Sequence, residues 1–403
     1  MSALAVWMYG KETGSLSRVR GRLSFSFTRE ALDLGVGRPL ISVSMPTRGR
    51  AYTGDVPRAF FDGLLPEGEA RRMLAYDFRV SDDDVLGLLS VLGRDCAGAL
   101  VILPEGDIPE QNGRPEPITD VQVAERLRRL RVAPLGVDQR VRASLAGMQE
   151  KLLLSRLDDG WGLPVDGAPS THILKPAHPL LVDSVLNEAF CMRVAHHLGV
   201  DVAETAVRTF DDVTVLAIGR YDRTRSDGRN PVTRIHQEDF CQAHATDSRR
   251  KYEEAGGPSL FDCARMLLRW SSSEQLDRLL DIAAVSALVG NADAHAKNVA
   301  LLHDRDGKVQ LAPAYDIMAT TLYPGVSTTA GMFINGVRDI TAVKREDLVR
   351  EAEQWGLARN RAAERVDRLL AEAETAVGKA AADVQPPDSL VDAVLMRVAS
   401  CAG

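Results

Sequence analysis

The stretch "GNADAHAKN", residues 290 to 298, sets Asp293 and Asn298 five positions apart, with His295 and Lys297 between them. An acid, an imidazole, a cation and an amide on one short connector are parts that phosphoryl transfer uses. That chemistry asks for a carboxylate to receive the proton of an attacking hydroxyl, oxygen ligands for Mg²⁺, and a lysine on the phosphates. Downstream, "NVALL" and "KVQLA", joined by "HDRDG", read as a hairpin, and "APAYDIM" then supplies Asp316.

Order and spacing both match the arrangement in protein kinases, where an Asp precedes a metal-binding Asn by five positions and a second metal-binding Asp follows a short hairpin. A lone D-x-x-x-x-N pair is cheap; the hairpin and Asp316 make it less so. Other chemistries lack their parts. Each Gly-Lys pair (Gly10, Gly307, Gly378) is followed by the wrong residue for a P-loop. There is no G-x-G-x-x-G, G-x-S-x-G or H-E-x-x-H, and "DRDG" does not fit a calcium loop. His295 has no second ligand at i+4, which argues against zinc.

These residues need elements to hold them. The run "LLDIAAVSALV" leads helically into the loop. Lys175 ends the strand "THILK", where its ammonium could reach phosphates, and Glu188 on the helix "DSVLNEAFCMRVAHHLG" is a candidate ion-pair partner for it. "SLAGMQEK" (144 to 151) offers Ser144, Gly147 and Lys151 before the strand "KLLLS", and reads as a flexible segment able to cover phosphates with backbone N–H groups. The strand "VTVLAIG" ends at Gly219, Arg220 and Tyr221, a suitable place for an adenine edge.

Further out, "LAVWMYG" and "AGALVILP" read as strands, "PRAFFDGLLPEGEARRMLAYDF" as a helix broken at "LPEG", and "VSDDDVLGLLSVLG" as a helix with an acidic first turn and a glycine stop. Residues 104 to 118, with four prolines and two glycines, read as a linker. Beyond about 235 the chain reads as mostly helical. No internal repeat is found.

At 403 residues and 45% apolar, the chain can bury two or three domain cores, and a net charge of −7 argues against general nucleic-acid binding. Five cysteines without a CxxC pair fit a reducing compartment. No stretch reads as a signal peptide or membrane span, so a soluble, cytoplasmic protein is expected.

Taken in order, "FFDGLLPEGEAR", "LGLLSVLGRDCAGAL", "SLAGMQEK", "THILKP", "NEAFCMRVAHHLG", "RYDR", "HQEDFCQA", "GNADAHAKN" and "LAPAYDIM" resemble the HipA family of serine/threonine kinase toxins over nearly the whole chain. The resemblance implies an α+β fold: a bilobal protein-kinase-like core, with a β-rich N-lobe and an all-helical C-lobe, preceded by a small α+β N-terminal domain. The implied divisions are 1–104 (N-terminal domain), 105–137 (linker and helix), 138–222 (N-lobe) and 223–403 (C-lobe).

It further implies ATP and Mg²⁺ as cofactors, Asp293 as base, and Asn298 and Asp316 as metal ligands. Nucleotide contacts would come from Ala146, Gly147, Met148, Gln149, Glu150, Lys151 and Lys175, from Gly219, Arg220 and Tyr221, and from His295, Ala296, Lys297, Asn298, Tyr315 and Asp316. Ser144 matches the serine that members autophosphorylate to silence themselves. One departure is Gly219, where well-known members carry an acidic residue. The implied partners are a protein of translation of the glutamyl-tRNA synthetase type and a small DNA-binding, HipB-like antitoxin, with DNA reached only through the antitoxin and no membrane contact. Two readings compete: a small-molecule phosphotransferase of the aminoglycoside or choline kinase type, and an inactive kinase-like corepressor. The N-terminal domain argues against the first, and the full set Lys175, Asp293, Asn298 and Asp316 against the second.

Overall fold

The computed structural model describes residues 3–110, 113–225, 232–305 and 307–403; residues 111–112 of the expected linker and Asp306 of the hairpin connector lie outside these. Helices and several sheets form a mixed α+β fold. The chain divides into two compact units, one of residues 1–176, 208–248 and 302–307, the other of 177–207, 249–301 and 308–403.

In the first unit, a five-stranded sheet runs in the order Tyr52–Thr53, Arg22–Phe27, Lys11–Val19, Leu4–Met8 and Leu100–Pro104. Its inward positions Val6, Leu16 and Phe25 are fully buried, as period-two alternation requires. Phe25 meets the edge of Phe27 and the tilted ring of Phe61, so the helix Asp55–Asp62 is seated on this face by aromatic packing. The break at "LPEG" holds: that helix stops at Gly63, and the next, Gly68–Asp77, starts after Pro66.

A second sheet of six strands has the order Thr205–Phe210, Val213–Gly219, His172–Pro176, Leu152–Arg156, Trp161–Leu163 and Glu116–Ile118. Glu116–Ile118 pairs antiparallel with Trp161–Leu163. Proline-rich composition thus conceals an edge strand, where a missing N–H costs nothing if it points away from the ladder.

The second unit is built on the helix Arg359–Val384, whose stripe Ala362, Val366, Leu369, Ala373, Ala376 and Ala380 is buried. It packs on the helices Ser184–His197 and Glu274–Val289. The small residues of the stripe permit close helix approach. The unit also carries a hairpin, Thr329–Ile334 with Val337–Asp339, turned at Asn335 and Gly336 with positive φ at both. Asn-Gly is the preferred pair for such a turn. All five cysteines are buried thiols outside any disulfide. Among the described residues, no helix is long and apolar enough to cross a membrane.

Candidate active site

Within the second unit, the helix Glu274–Val289 ends at Gly290 in the left-handed conformation, its N–H closing onto Ser286. The chain then turns through Asn291, whose buried side chain accepts the Asp293 N–H at 3.1 Å. The Asp293 carbonyl receives two bonds, from the His295 N–H at 2.8 Å and from Asn298 Nδ2 at 2.9 Å. The five-residue spacing is therefore a folded turn closed by the amide. Because Asn298 Nδ2 is engaged there, its Oδ1 is left as an acceptor. The Asp293 carboxylate is about half exposed (49%), and its Oδ1 accepts the hydroxyl of Tyr252 at 2.6 Å.

His295 is buried, edge-on to the Tyr252 ring, with Nε2 4.0 Å from Asp293 Oδ1. Burial pushes its imidazole down to about 3, with Lys251 adding to the effect and Asp316 opposing it, so it is neutral near pH 7. Its Nδ1 has no hydrogen-bond partner among the described residues. Lys297 is buried, and its carbonyl takes the Tyr315 hydroxyl at 2.6 Å. Ala296 is buried too, its N–H directed to the Lys251 carbonyl at 3.3 Å.

Asp316 sits at φ +59°, an uncommon conformation that Asp tolerates better than most residues. The segment after it is tied down by Asn187 of the helix Ser184–His197. Asn187 accepts from the Ala319 N–H at 2.9 Å and donates to the Ala319 carbonyl at 3.1 Å and to the Tyr323 hydroxyl at 3.0 Å. Glu188, next to it, is also buried. Asn298 Oδ1 and the Asp316 carboxylate are hard oxygen donors of the kind that hold Mg²⁺ together with phosphate oxygens. No group of three or more His, Cys, Asp or Glu suited to a metal occurs among the described residues, which excludes an all-protein cage of that type there.

In the first unit, Lys175 lies buried on the strand His172–Pro176, in register with Leu216 of the neighbouring strand. The segment before Leu152 is more tethered than its sequence suggests. Ser144 is fully buried; its N–H binds the Asp95 carbonyl at 3.0 Å and its Oγ the Leu64 carbonyl at 2.7 Å. Gly147 has φ +107°, and a Cβ there would stand 2.5 Å from Lys151 Nζ. That ammonium donates to the Ala146 carbonyl at 2.6 Å, curling the segment around itself. Gln149 reaches the Pro176 carbonyl at 3.4 Å and Glu150 lies 3.3 Å from Arg131, while Met148 stays exposed.

The Arg220 side chain is turned inward. Its guanidinium is buried, donating to Asp222, to Ser170 Oγ at 2.7 Å and to the Cys96 carbonyl at 3.0 Å. Its backbone is engaged as well, the N–H with Thr171 and the carbonyl with the Arg223 N–H. Arg220 belongs to a buried charge network with Asp95, Asp222 and Arg223. Burial would raise the Asp95 carboxyl, but Arg223, Arg220 and Arg234 outweigh it and hold it well below the usual carboxylate range. Gly219 pairs with His172 at the strand end, and the Tyr221 hydroxyl binds Gln237.

Tyr252, Asn291 and Asn187 escaped the sequence reading. A cue for the first was available in "KYEEAGG": the Gly257 N–H closes on the Tyr252 carbonyl at 2.9 Å, a tight turn around one aromatic.

Comparison with known proteins decides the family. The model for the HipA N-terminal domain matches residues 4–103, and that for the HipA-like C-terminal domain matches 143–377, more than half of the chain. The chain belongs to the HipA family. A putative kinase of Sinorhizobium fredii, Y4mE, is 40% identical over 342 residues, spanning 82% of this chain and 80% of that protein. The serine/threonine-protein kinase toxin HipA of Shewanella oneidensis is 29% identical, spanning 87% and 86%. The solved structure of Shewanella oneidensis HipA with HipB and operator DNA superimposes with a TM-score of 0.85 at 25% identity, over 99% of this chain and 96% of that one. As a HipA-family member the chain is an enzyme, a serine/threonine protein kinase.

Proposed function

We propose that this HipA-family kinase transfers the γ-phosphoryl group of ATP, with Mg²⁺, to a serine or threonine hydroxyl of a translation protein of the glutamyl-tRNA synthetase type. Asp293 receives the hydroxyl proton as the oxygen attacks phosphorus; the new O–P bond forms as the bond to the bridging oxygen breaks and ADP leaves. Asn298 and Asp316 would hold Mg²⁺, which would neutralise charge on the phosphates. Lys175, Lys151 and the backbone of 146–151 serve the phosphates, and His295, Ala296, Lys297 and Tyr315 are further nucleotide contacts. Gly219 and Tyr221 serve the adenine.

The observation that carries this reading is the Asp293 loop: a half-exposed carboxylate on a turn closed by Asn298, whose amide oxygen is left for a cation. The acidic balance of −7 suits a chain that meets DNA only through a HipB-like antitoxin. Phosphorylation of Ser144 silences the enzyme. The match of residues 4–103 to the HipA N-terminal domain favours a protein acceptor over a small molecule. Functionally, 1–104 is assigned as the N-terminal domain, 105–137 as connector, and 138–222 and 223–403 as the two parts of the kinase core, acting in the cytoplasm. Incubation of the purified protein with labelled ATP, Mg²⁺ and a cell lysate should label a discrete protein band; label in no protein would overturn the proposal.

A further inference from the structure

The catalytic loop has a platform that none of the kinase-like motifs contains. Residues 251–253 run beside it and touch it three times. The Lys251 carbonyl accepts the Ala296 N–H at 3.3 Å. The Tyr252 ring stands edge-on to His295, with centroids 5.0 Å apart. The Tyr252 hydroxyl donates to Asp293 Oδ1 at 2.6 Å. Glu253 extends the platform by taking the Phe333 N–H at 2.6 Å, which ties it to the strand Thr329–Ile334.

That strand closes the other side of the loop. The Gly331 N–H binds the Ala292 carbonyl at 2.8 Å, and a Cβ at Gly331 would lie 2.6 Å from the His295 nitrogen. The loop backbone is therefore clamped from two sides, but these contacts act on backbone and on His295. At the Asp293 carboxylate itself, the hydroxyl of Tyr252 donates to Oδ1 at 2.6 Å. His295 stands farther off, with Nε2 at 4.0 Å.

We infer that Tyr252 is a positioning residue for phosphoryl transfer: its hydroxyl holds Asp293 Oδ1 and so orients the carboxylate for the hydroxyl of the protein acceptor. The inference rests on the reading of Asp293 as the base. A carboxylate on a half-exposed loop rotates among staggered and broad terminal torsions unless something holds it. A neutral donor at one oxygen restrains that rotation and adds no positive charge that would make the carboxylate a poorer proton acceptor. The ring serves separately, by packing against His295, so removing the hydroxyl alone isolates its part.

Tyr252→Phe keeps the ring. Its kcat for phosphorylation of protein acceptors is expected to fall about ten- to a hundredfold, the range for one hydrogen bond to a charged group, with KM for ATP unchanged. Incorporation of 3-fluorotyrosine at 252, which keeps the donor, is expected to retain most of the wild-type kcat even if the phenylalanine variant folds poorly. In the Asp293→Asn background, Tyr252→Phe should cost nothing further, because the two act as one unit. If Asp293→Asn is inactive and Tyr252→Phe folds but keeps wild-type kcat, the role of Tyr252 is overturned and the base survives. Loss of activity with 3-fluorotyrosine also overturns it. If Asp293→Asn itself keeps turnover, the base reading falls, and the role of Tyr252 with it.

Discussion

Asn298 Nδ2 donates to the carbonyl of Asp293 at 2.9 Å, so the amide closes the turn that carries the carboxylate while keeping its own oxygen as an acceptor. The two residues are thus bound by more than sequence spacing: the amide has one function on each of its atoms.

Asn298→Ala removes both. The turn loses a bond to the Asp293 carbonyl, and the proposed Mg²⁺ site would lose an oxygen. The Mg²⁺ concentration needed for half-maximal turnover should rise, as measured by titrating Mg²⁺ at saturating ATP. Asp316→Asn should raise the same requirement and weaken Mg²⁺-dependent nucleotide binding, because a carboxylate is replaced by a neutral ligand. An unchanged Mg²⁺ requirement in both variants would remove these residues from the metal site.

Gly331→Ala places a methyl group against the backbone at Ala294 and His295, at 2.6 to 2.8 Å. Backbone cannot swing aside as a flexible side chain can, so the catalytic loop must shift. Urea unfolding should report a loss of about 1–3 kcal/mol, typical of overpacking, and kcat should fall. Full activity with unchanged stability would show that the strand does not clamp the loop.

Ser144 is buried with its hydroxyl on the Leu64 carbonyl. A phosphate of roughly −1.5 to −2 charges cannot occupy that position, so modification requires residues 144–151 to leave their present seat. Mass spectrometry after incubation with ATP should find phosphate on Ser144, and that fraction should bind ATP poorly and be cut faster by protease near the exposed Met148. Undiminished ATP affinity in the phosphorylated form would contradict this. Ser144→Ala leaves the Leu64 carbonyl without this donor and should cost about 1–3 kcal/mol in unfolding free energy.

Much of this was legible in the sequence, and the reasons for the rest are physical. The helix into Gly290, the Asp293–Asn298 turn and the strand carrying Lys175 are local patterns, visible because their parts lie within a few residues of each other. Tyr252 is 41 residues from Asp293, and nothing local marks which carboxylate its hydroxyl meets. Nothing local to Arg220 in "GRYDR" shows that its buried charge is balanced in part by Asp95, far away in sequence. Only tertiary pairing makes such burial possible. The segment 144–151 read as loose because its tethers, Leu64, Glu67 and Asp95, come from the N-terminal hundred residues.

Stability should depend on pH through His236, which is fully buried, with its Nε2 2.6 Å from the Ile41 carbonyl. Burial pushes its imidazole down to about 3, and His303 adds to the effect. The folded state then resists a proton that the unfolded chain accepts near 6.5. The resulting stability is present above about pH 6.5 and is lost as pH falls toward 3. The urea midpoint should decline from pH 7.5 to 5, and His236→Gln should make that decline shallower. An equally steep decline in the variant would contradict the assignment.

The central claim is that Asp293 is the base of a protein kinase. The most direct measurement is single-turnover phosphorylation with labelled ATP and Mg²⁺, comparing wild type with Asp293→Asn, alongside ATP affinity measured by calorimetry. The variant changes a proton acceptor without changing shape, so transfer should slow by roughly 10²- to 10⁴-fold while ATP affinity and fold remain. Near-normal transfer by the Asp293→Asn protein would contradict the account.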